Sequence, residues 1–353
     1  YFLTKDYSKL ENDVSNEMFN QNKMIIENIK KKLNCALILQ TIPLPPLRIF
    51  NNYEQKIKNS ATTLINRLNK KIINYSLFSK DFIFDVANLA SDLGVMNWHD
   101  STFYNLGEFP FNNDFLEVYS YKLSNLISII KGNVKKVLIL DLDDTIWGGT
   151  IGDVGYEGIK IGYSDPESKS FLNFQKTILN LKERGVILAV CSKNDLNLAK
   201  SAFIKRKDMI LKLKDISVFK ANWENKAKNI TEIQKELNLS YNSMVFVDNN
   251  QVERDFIRKT LPDISVPELS NDSSNYGRDL IFPGYFEATN FSKEDKNRSS
   301  YYAANIKRQD LKNKSLSLKH YLKTLEMRAN LKSFDKKNID RIEQLIQRSN
   351  QFN

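Results

Sequence analysis

At 353 residues the chain is too long for one ordinary hydrophobic core, so two or more domains are expected. Two cysteines, Cys35 and Cys191, argue against a disulfide scaffold and fit a reducing, cytoplasmic setting. The net charge of +10 rests on lysines interleaved with Asp and Glu, which argues against a nucleic-acid face. The longest apolar runs, such as 137–140 and 186–191, are too short to span a bilayer, so no membrane association is expected.

The chain begins at Tyr1 rather than Met and stops at Asn353 within a helical pattern, so a piece of a longer protein is expected. No signal peptide is visible. Residues 1–133 mix helices with one clear strand, 36–40, which ends at Thr41-Ile42-Pro43-Leu44-Pro45-Pro46. Helical periodicity follows over 61–73 and 115–130, and Gly132 sits where a helix stop belongs. This sets a first boundary at 133. From 134 the pattern alternates: strands at 136–141, 186–191, 216–219, 244–248 and 264–266, with helices at 171–184, 196–203, 226–237 and 253–260. Repeated βα units of this length predict a doubly wound parallel sheet in an α/β fold. The Gly-rich stretch Trp147–Gly162 reads as a short β-hairpin over the end of the first strand. Past about 310 the chain is polar and helical to 325, followed by a strand at 328–334 and an amphipathic helix at 339–347. Residues 311–353 are therefore expected to form a helical linker and the start of a further module.

The chemistry concentrates where the apolar run Val137-Leu138-Ile139-Leu140 meets Asp141-Leu142-Asp143-Asp144-Thr145. Parallel sheets present their chemistry at the carboxyl ends of strands. Side chains repeat every two residues along a strand, so Asp141 and Asp143 point roughly the same way. Two or three carboxylates together are costly unless a cation sits among them, and a hard divalent ion, Mg2+, suits this donor type. Asp141 is then placed to attack phosphorus, and Asp143 to act as general acid and base. Ser192 follows the strand 186–191 and can hold phosphoryl oxygens. Lys226 opens a helix and can neutralise developing charge, and Asp248 ends the strand 244–248 and completes a metal site.

Singly, each of these residues has an ordinary explanation. Asp143, Asp144 and Ser192 could cap helices, Lys226 could be a solvated helix residue, and Asp248 in Asp-Asn-Asn could be a turn former. Their order, each at the end or start of a successive βα unit, favours a common site, with Asp144 left as a turn or cap residue. The motifs Asp141-x-Asp143-x-Thr145, Ser192, Lys226 and Asp248 resemble those of the haloacid dehalogenase (HAD) superfamily of phosphotransferases. A closer resemblance, to its FkbH-like subfamily, rests on five stretches. They are Leu142 to Gly149 (Leu-Asp-Asp-Thr-Ile-Trp-Gly-Gly), Gly152-Asp153-x-Gly155-x-Glu157-Gly158-Ile159, Cys191-Ser192-Lys193-Asn194, and Asn222-Trp223-x-x-Lys226-Ala227 with Phe246-Val247-Asp248.

This resemblance implies an uncapped, Rossmannoid HAD-like fold preceded by a smaller α/β domain, and a Mg2+-dependent reaction through an aspartyl-phosphate. The implied metal ligands are Asp141, Asp143 and Asp248. Asn249 would contribute through a water, standing where the subfamily usually carries a second acid. Substrate binding falls to Trp147, Gly148, Gly149, Lys193 and Asn194. The segments 142–191 and 193–225 leave no room for a cap domain, so the site is expected to be open. FkbH-like proteins are associated with taking the glyceryl moiety of 1,3-bisphosphoglycerate and loading it onto an acyl carrier protein through an enzyme thioester. Cys191 is the candidate for that thioester, against its reading as a small buried residue closing the strand. The alternatives are a phosphatase of a sugar or carrier-bound phosphate in surface polysaccharide assembly, and a non-catalytic scaffold that binds a carrier protein. Residues 1–133 resemble an SGNH-hydrolase domain but lack a Gly-Asp-Ser motif. Met96 stands where an Asp would precede His99, so this domain is expected to be inactive and His99 structural. For the module begun at 311–353 an acyltransferase-like identity is expected.

Overall fold

A computed structural model of the chain describes residues 14–292, 295–298 and scattered positions from 301 to 345. The residues up to Ser299 form one compact unit, and Ser300–Asn353 a second. The strand expected at 328–334 and the helices expected to 325 and at 339–347 lie largely outside the described residues.

The first unit contains two parallel sheets. Helix α1 (Val14–Leu33) leads into β1 (Ile38–Gln40), α2 (Ala61–Phe78) and β2 (Phe82–Phe84), and β1 and β2 pair in parallel. Strand β2 has no counterpart among the strands expected from sequence. The side chain of Ser60 caps α2 and that of Asp85 caps α3 (Val86–Leu93), each accepting from a backbone N–H inside the first turn. Two short helices, α4 (Val95–Trp98) and α5 (Ser101–Gly107), precede α6 (Leu116–Ile130). Trp98 is buried and stacks on Phe111 and Phe115, with Phe84, Leu89 and Leu126 in the same cluster. His99 Nε2 lies 3.0 Å from the Leu44 carbonyl oxygen, a contact that tethers the proline-rich loop after β1.

The second sheet has four parallel strands in the order β5-β4-β3-β6, with β3 (Val137–Leu140) central. Between β3 and β4 (Ile187–Ser192) lie α7 (Ile151–Gly158) and α8 (Pro166–Glu183). Then come α9 (Leu196–Lys205), β5 (Ile216–Ala221), α10 (Lys226–Leu237), β6 (Met244–Val247), α11 (Gln251–Thr260) and α12 (Tyr276–Ile281). Every residue of β3, β4 and β6 is buried, which is why these strands read as unbroken apolar runs. No cap domain interrupts the βα succession between β3 and β6 among the described residues.

Two expectations are corrected. The stretch 147–162 is not a β-hairpin. Its ends pair antiparallel at Gly148 and Lys160, and between them the chain forms α7, interrupted at Gly155. Asp153 and Val154 both donate to the Thr150 carbonyl, which starts a helical turn, and Gly155 at φ +66° bends the helix away. The segment 264–266 is not a full fifth strand, because only Ser265 bridges to Val245.

The two layers meet through α6. Lys122 donates to the Phe282 carbonyl oxygen and sits 4.4 Å from the centroid of the Phe282 ring. Asn125 donates to the Pro283 carbonyl oxygen at 3.0 Å.

Candidate active site

The carboxyl edge of the four-stranded sheet gathers the residues that the strand ends predicted. Asp141 extends β3 by one residue, its N–H donating to the Val247 carbonyl oxygen at 3.0 Å. Lys226, the first residue of α10, is buried with its Nζ 2.9 Å from Asp141 Oδ1, and it also donates to Asp248 Oδ2. One ammonium thus bridges two buried carboxylates. Burial would discharge Lys226, but the two carboxylates outweigh it and hold its pKa above the ordinary value. Burial raises the Asp248 pKa, and Asp141 adds to the effect against the pull of Lys226. The backbone N–H of Asn250 donates to Asp248 Oδ1 at 2.9 Å, and Arg254 donates to the carbonyls of Asp248 and Asn249 at 3.0 and 2.7 Å. Arg254 was not singled out from sequence. It lies a helical turn past the motif, and nothing in the pattern marks it as the clamp on that loop.

Asp143 is held apart from this bridge. Its Oδ1 accepts from Trp147 Nε1 at 2.9 Å and from the Ile151 N–H at 3.1 Å, and its Oδ2 accepts from Asn194 Nδ2 at 3.0 Å. Burial pushes its carboxyl pKa upward against these three donors, with Asp141 adding a smaller push in the same direction. Neighbouring Asp144 adopts φ +49° and accepts from the Gly149 N–H at 2.6 Å, which makes it the turn residue expected of it. Thr145 links the strand ends. Its hydroxyl lies 3.5 Å from Asp141 Oδ2 and 3.3 Å from Asn249 Oδ1, and it accepts from the Asn249 N–H at 3.2 Å.

Several sequence assignments change role. Trp147, expected to touch substrate, has no exposed surface. It packs edge-on to Phe203 and orients Asp143. Gly148 is buried, and a Cβ there would overlap the Phe171 ring, so its smallness serves packing. Gly149, at φ +87°, completes the turn capped by Asp144. Asn194 is buried and holds Asp143 while also donating to Ser192 Oγ at 3.2 Å. Lys193 is exposed and ion-paired to Glu253 at 2.5 Å. Ser192 lies buried at the end of β4 beside Asn194. Cys191 is wholly buried and its thiol donates to the Lys226 carbonyl oxygen at 3.6 Å. Burial pushes that thiol far above its usual range, against the pull of Lys226. Its burial and its bond to a backbone carbonyl are those of a small residue closing the strand.

Among the described residues, no three His, Cys, Asp or Glu side chains converge as a group that could hold a metal ion. The reason is local. Lys226 occupies the space between Asp141 and Asp248, both oxygens of Asp143 are engaged, and Asn249 Oδ1 faces Thr145. The side-chain oxygens of Asp143 and Asn249 Oδ1 are thus engaged with protein partners in this structure. Asp141 and Asp248 remain as hard oxygen donors, carrying one more negative charge than Lys226 balances. One or two carboxylates with water is the donor set Mg2+ accepts.

The topology and this edge define a HAD-like α/β fold of the phosphatase class. No protein-family model matches the chain, and no curated protein matches it. Among solved structures it is similar to the N-terminal part of the protein BF1531 from Bacteroides fragilis, which contains a phosphatase domain and was crystallised with Mg. That structure is 37% identical, superposes with a TM-score of 0.75, and the match covers 82% of this chain and 77% of the other. The chain belongs to the same family as that phosphatase-domain protein.

Proposed function

We propose that the chain is a Mg2+-dependent phosphatase that works through an aspartyl-phosphate on Asp141. The observation that carries the reading is the unequal treatment of two carboxylates on one strand end. Asp141 is paired with a buried ammonium, and Asp143 is half-buried among neutral donors with its pKa raised by desolvation. Environments pushed apart in this way assign one carboxylate to attack and the other to proton transfer.

An Asp141 oxygen forms a bond to phosphorus as the ester P–O bond breaks, and the leaving oxygen takes the proton of Asp143. A water then attacks the phosphoaspartate, Asp143 takes its proton, and inorganic phosphate leaves with Asp141 restored. Lys226 lies against Asp141 and offsets charge on the phosphoryl group, while Ser192 is placed to donate to a phosphoryl oxygen. Asp141 and Asp248 would hold Mg2+, which when bound supplies positive charge to the phosphoryl oxygens. Trp147 and Asn194 hold Asp143 in line, so the acid does not rotate between the two half-reactions.

Within this reading the FkbH-like subfamily, with its transfer of a glyceryl group from 1,3-bisphosphoglycerate to an acyl carrier protein, rests on the motif resemblance. The absence of a cap among the described residues supports a bulky or carrier-bound substrate. The burial of Cys191 favours its reading as a small residue closing the strand over a thioester role. Residues 1–133 are proposed to be an inactive SGNH-like layer that braces the phosphatase through Lys122 and Asn125. Incubation with magnesium and acetyl phosphate, followed by acid quenching and intact-mass measurement, tests the mechanism. A phosphoryl adduct in the native chain that is lost in Asp141→Asn is expected. An adduct that survives this substitution rules out Asp141 as the nucleophile.

A further inference from the structure

The loop from β5 to α10 does more than deliver Lys226. Asn222 donates its N–H to the Ser192 carbonyl oxygen at 3.2 Å, which keeps the loop against the end of β4. Its side chain exchanges two hydrogen bonds with the amide of Asn229, at 3.0 and 2.8 Å, and accepts from the Glu224 N–H at 3.0 Å. Asn225 caps α10 by accepting from the Lys228 N–H at 2.8 Å, and Lys228 pairs with Glu224 at 3.1 Å. Between these fixed points stands Trp223, 77% exposed. The other two tryptophans are 1% (Trp98) and 0% (Trp147) exposed. A rigidly mounted indole left in water is costly unless something covers it, and Trp is a residue that recognition surfaces favour.

Each element that leaves the carboxyl edge of the sheet shows an exposed apolar side chain: Val154 on α7 after β3, Leu196 at the start of α9 after β4, and Val252 at the start of α11 after β6. The charged centre formed by Lys226, Asp141 and Asp248 lies at the same edge and is buried. A small, wholly ionic substrate such as a free acyl phosphate would gain nothing from an apolar rim. A phosphate ester with an extended ring or hydrocarbon face would use both parts, the phosphoryl group below and the alcohol portion above.

We infer that Trp223 is the specificity-determining platform of this site, stacking the ring-bearing or apolar alcohol portion of a phosphate monoester. The inference rests on the phosphatase reading and narrows its substrate class. Aromatic stacking of this kind predicts that Trp223→Ala raises KM for p-nitrophenyl phosphate about three- to tenfold. The preference for that ester over acetyl phosphate, measured as a ratio of kcat/KM values, should fall by the same factor, and Trp223→Phe should restore most of it. A binding readout is independent of turnover, because Trp223 is the exposed fluorophore of the three. With magnesium present, phenylphosphonate should change the emission and methylphosphonate should not, and the response should vanish in Trp223→Phe. An unchanged preference ratio in Trp223→Ala, or a phenylphosphonate response that survives in Trp223→Phe, overturns the inference. If no phosphate compound is turned over, the phosphatase reading fails. The phenylphosphonate titration still decides whether Trp223 binds a ring.

Discussion

Asp143 depends on donors that are themselves buried. Trp147 Nε1, the Ile151 N–H and Asn194 Nδ2 use both of its oxygens, so its direction is fixed before any ligand arrives. Trp147→Phe keeps a buried ring against Phe203 and removes one of the three donors. On the mechanism proposed above, kcat should fall roughly ten- to hundredfold with KM little changed, because alignment is lost and phosphate binding is not. A steady-state comparison checks this, and an equal rise in KM would count against a positioning role. The sequence marks Trp147 and Asn194 as members of motifs, but a motif does not say which way a side chain points. Both were expected to face substrate, and both turn inward. Asp144 was legible because αL turn chemistry depends on the residue and its neighbours, with little contribution from tertiary packing.

At the scale of elements, the small sheet is tied together by one buried carboxylate. Asp81, just before β2, accepts from Lys30 of α1 at 3.0 and 2.8 Å and from the Leu37 N–H at 2.9 Å. Burial pushes its pKa up, but Lys30 and the Leu37 N–H outweigh burial, and the carboxyl titrates below its ordinary value of 3.8. A depressed folded pKa means that the stabilising effect is complete above the unfolded value and disappears as pH falls through the folded one. Asp81→Asn should therefore cost about 2 kcal/mol at neutral pH. The difference from the native chain should close in acid below about pH 4. Denaturant melts at the two pH values check the sign. Buried strands such as β3, β4 and β6 were readable because burial on both faces leaves a continuous apolar run. Strand β2, three residues and only partly buried, leaves none. The glycines of α7 resembled hairpin turns because Gly152, Gly155 and Gly158 break helical periodicity, and a kinked two-part helix has no clear sequence signature.

For the whole molecule, the excess negative charge at the carboxyl edge couples ion binding to folding. On the proposed reading, magnesium binds the folded chain only. It should raise the melting temperature by a margin that grows with the logarithm of its concentration once it exceeds Kd, reversed by a chelator and abolished in Asp248→Asn. A magnesium-independent melting temperature in the native chain would remove Asp141 and Asp248 as its ligands. The burial of Cys191 bears on a different stress. Oxidants and alkylating reagents attack accessible thiolates, and the thiol nearest the proposed chemistry is sealed within β4, whereas Cys35 is exposed. Iodoacetamide under native conditions should label Cys35 alone and leave turnover intact, as peptide mapping alongside an activity assay would show. On the proposed mechanism, a phosphatase built on an aspartate, with its neighbouring sulfur out of reach, keeps working under peroxide exposure that inactivates phosphatases whose nucleophile is a cysteine.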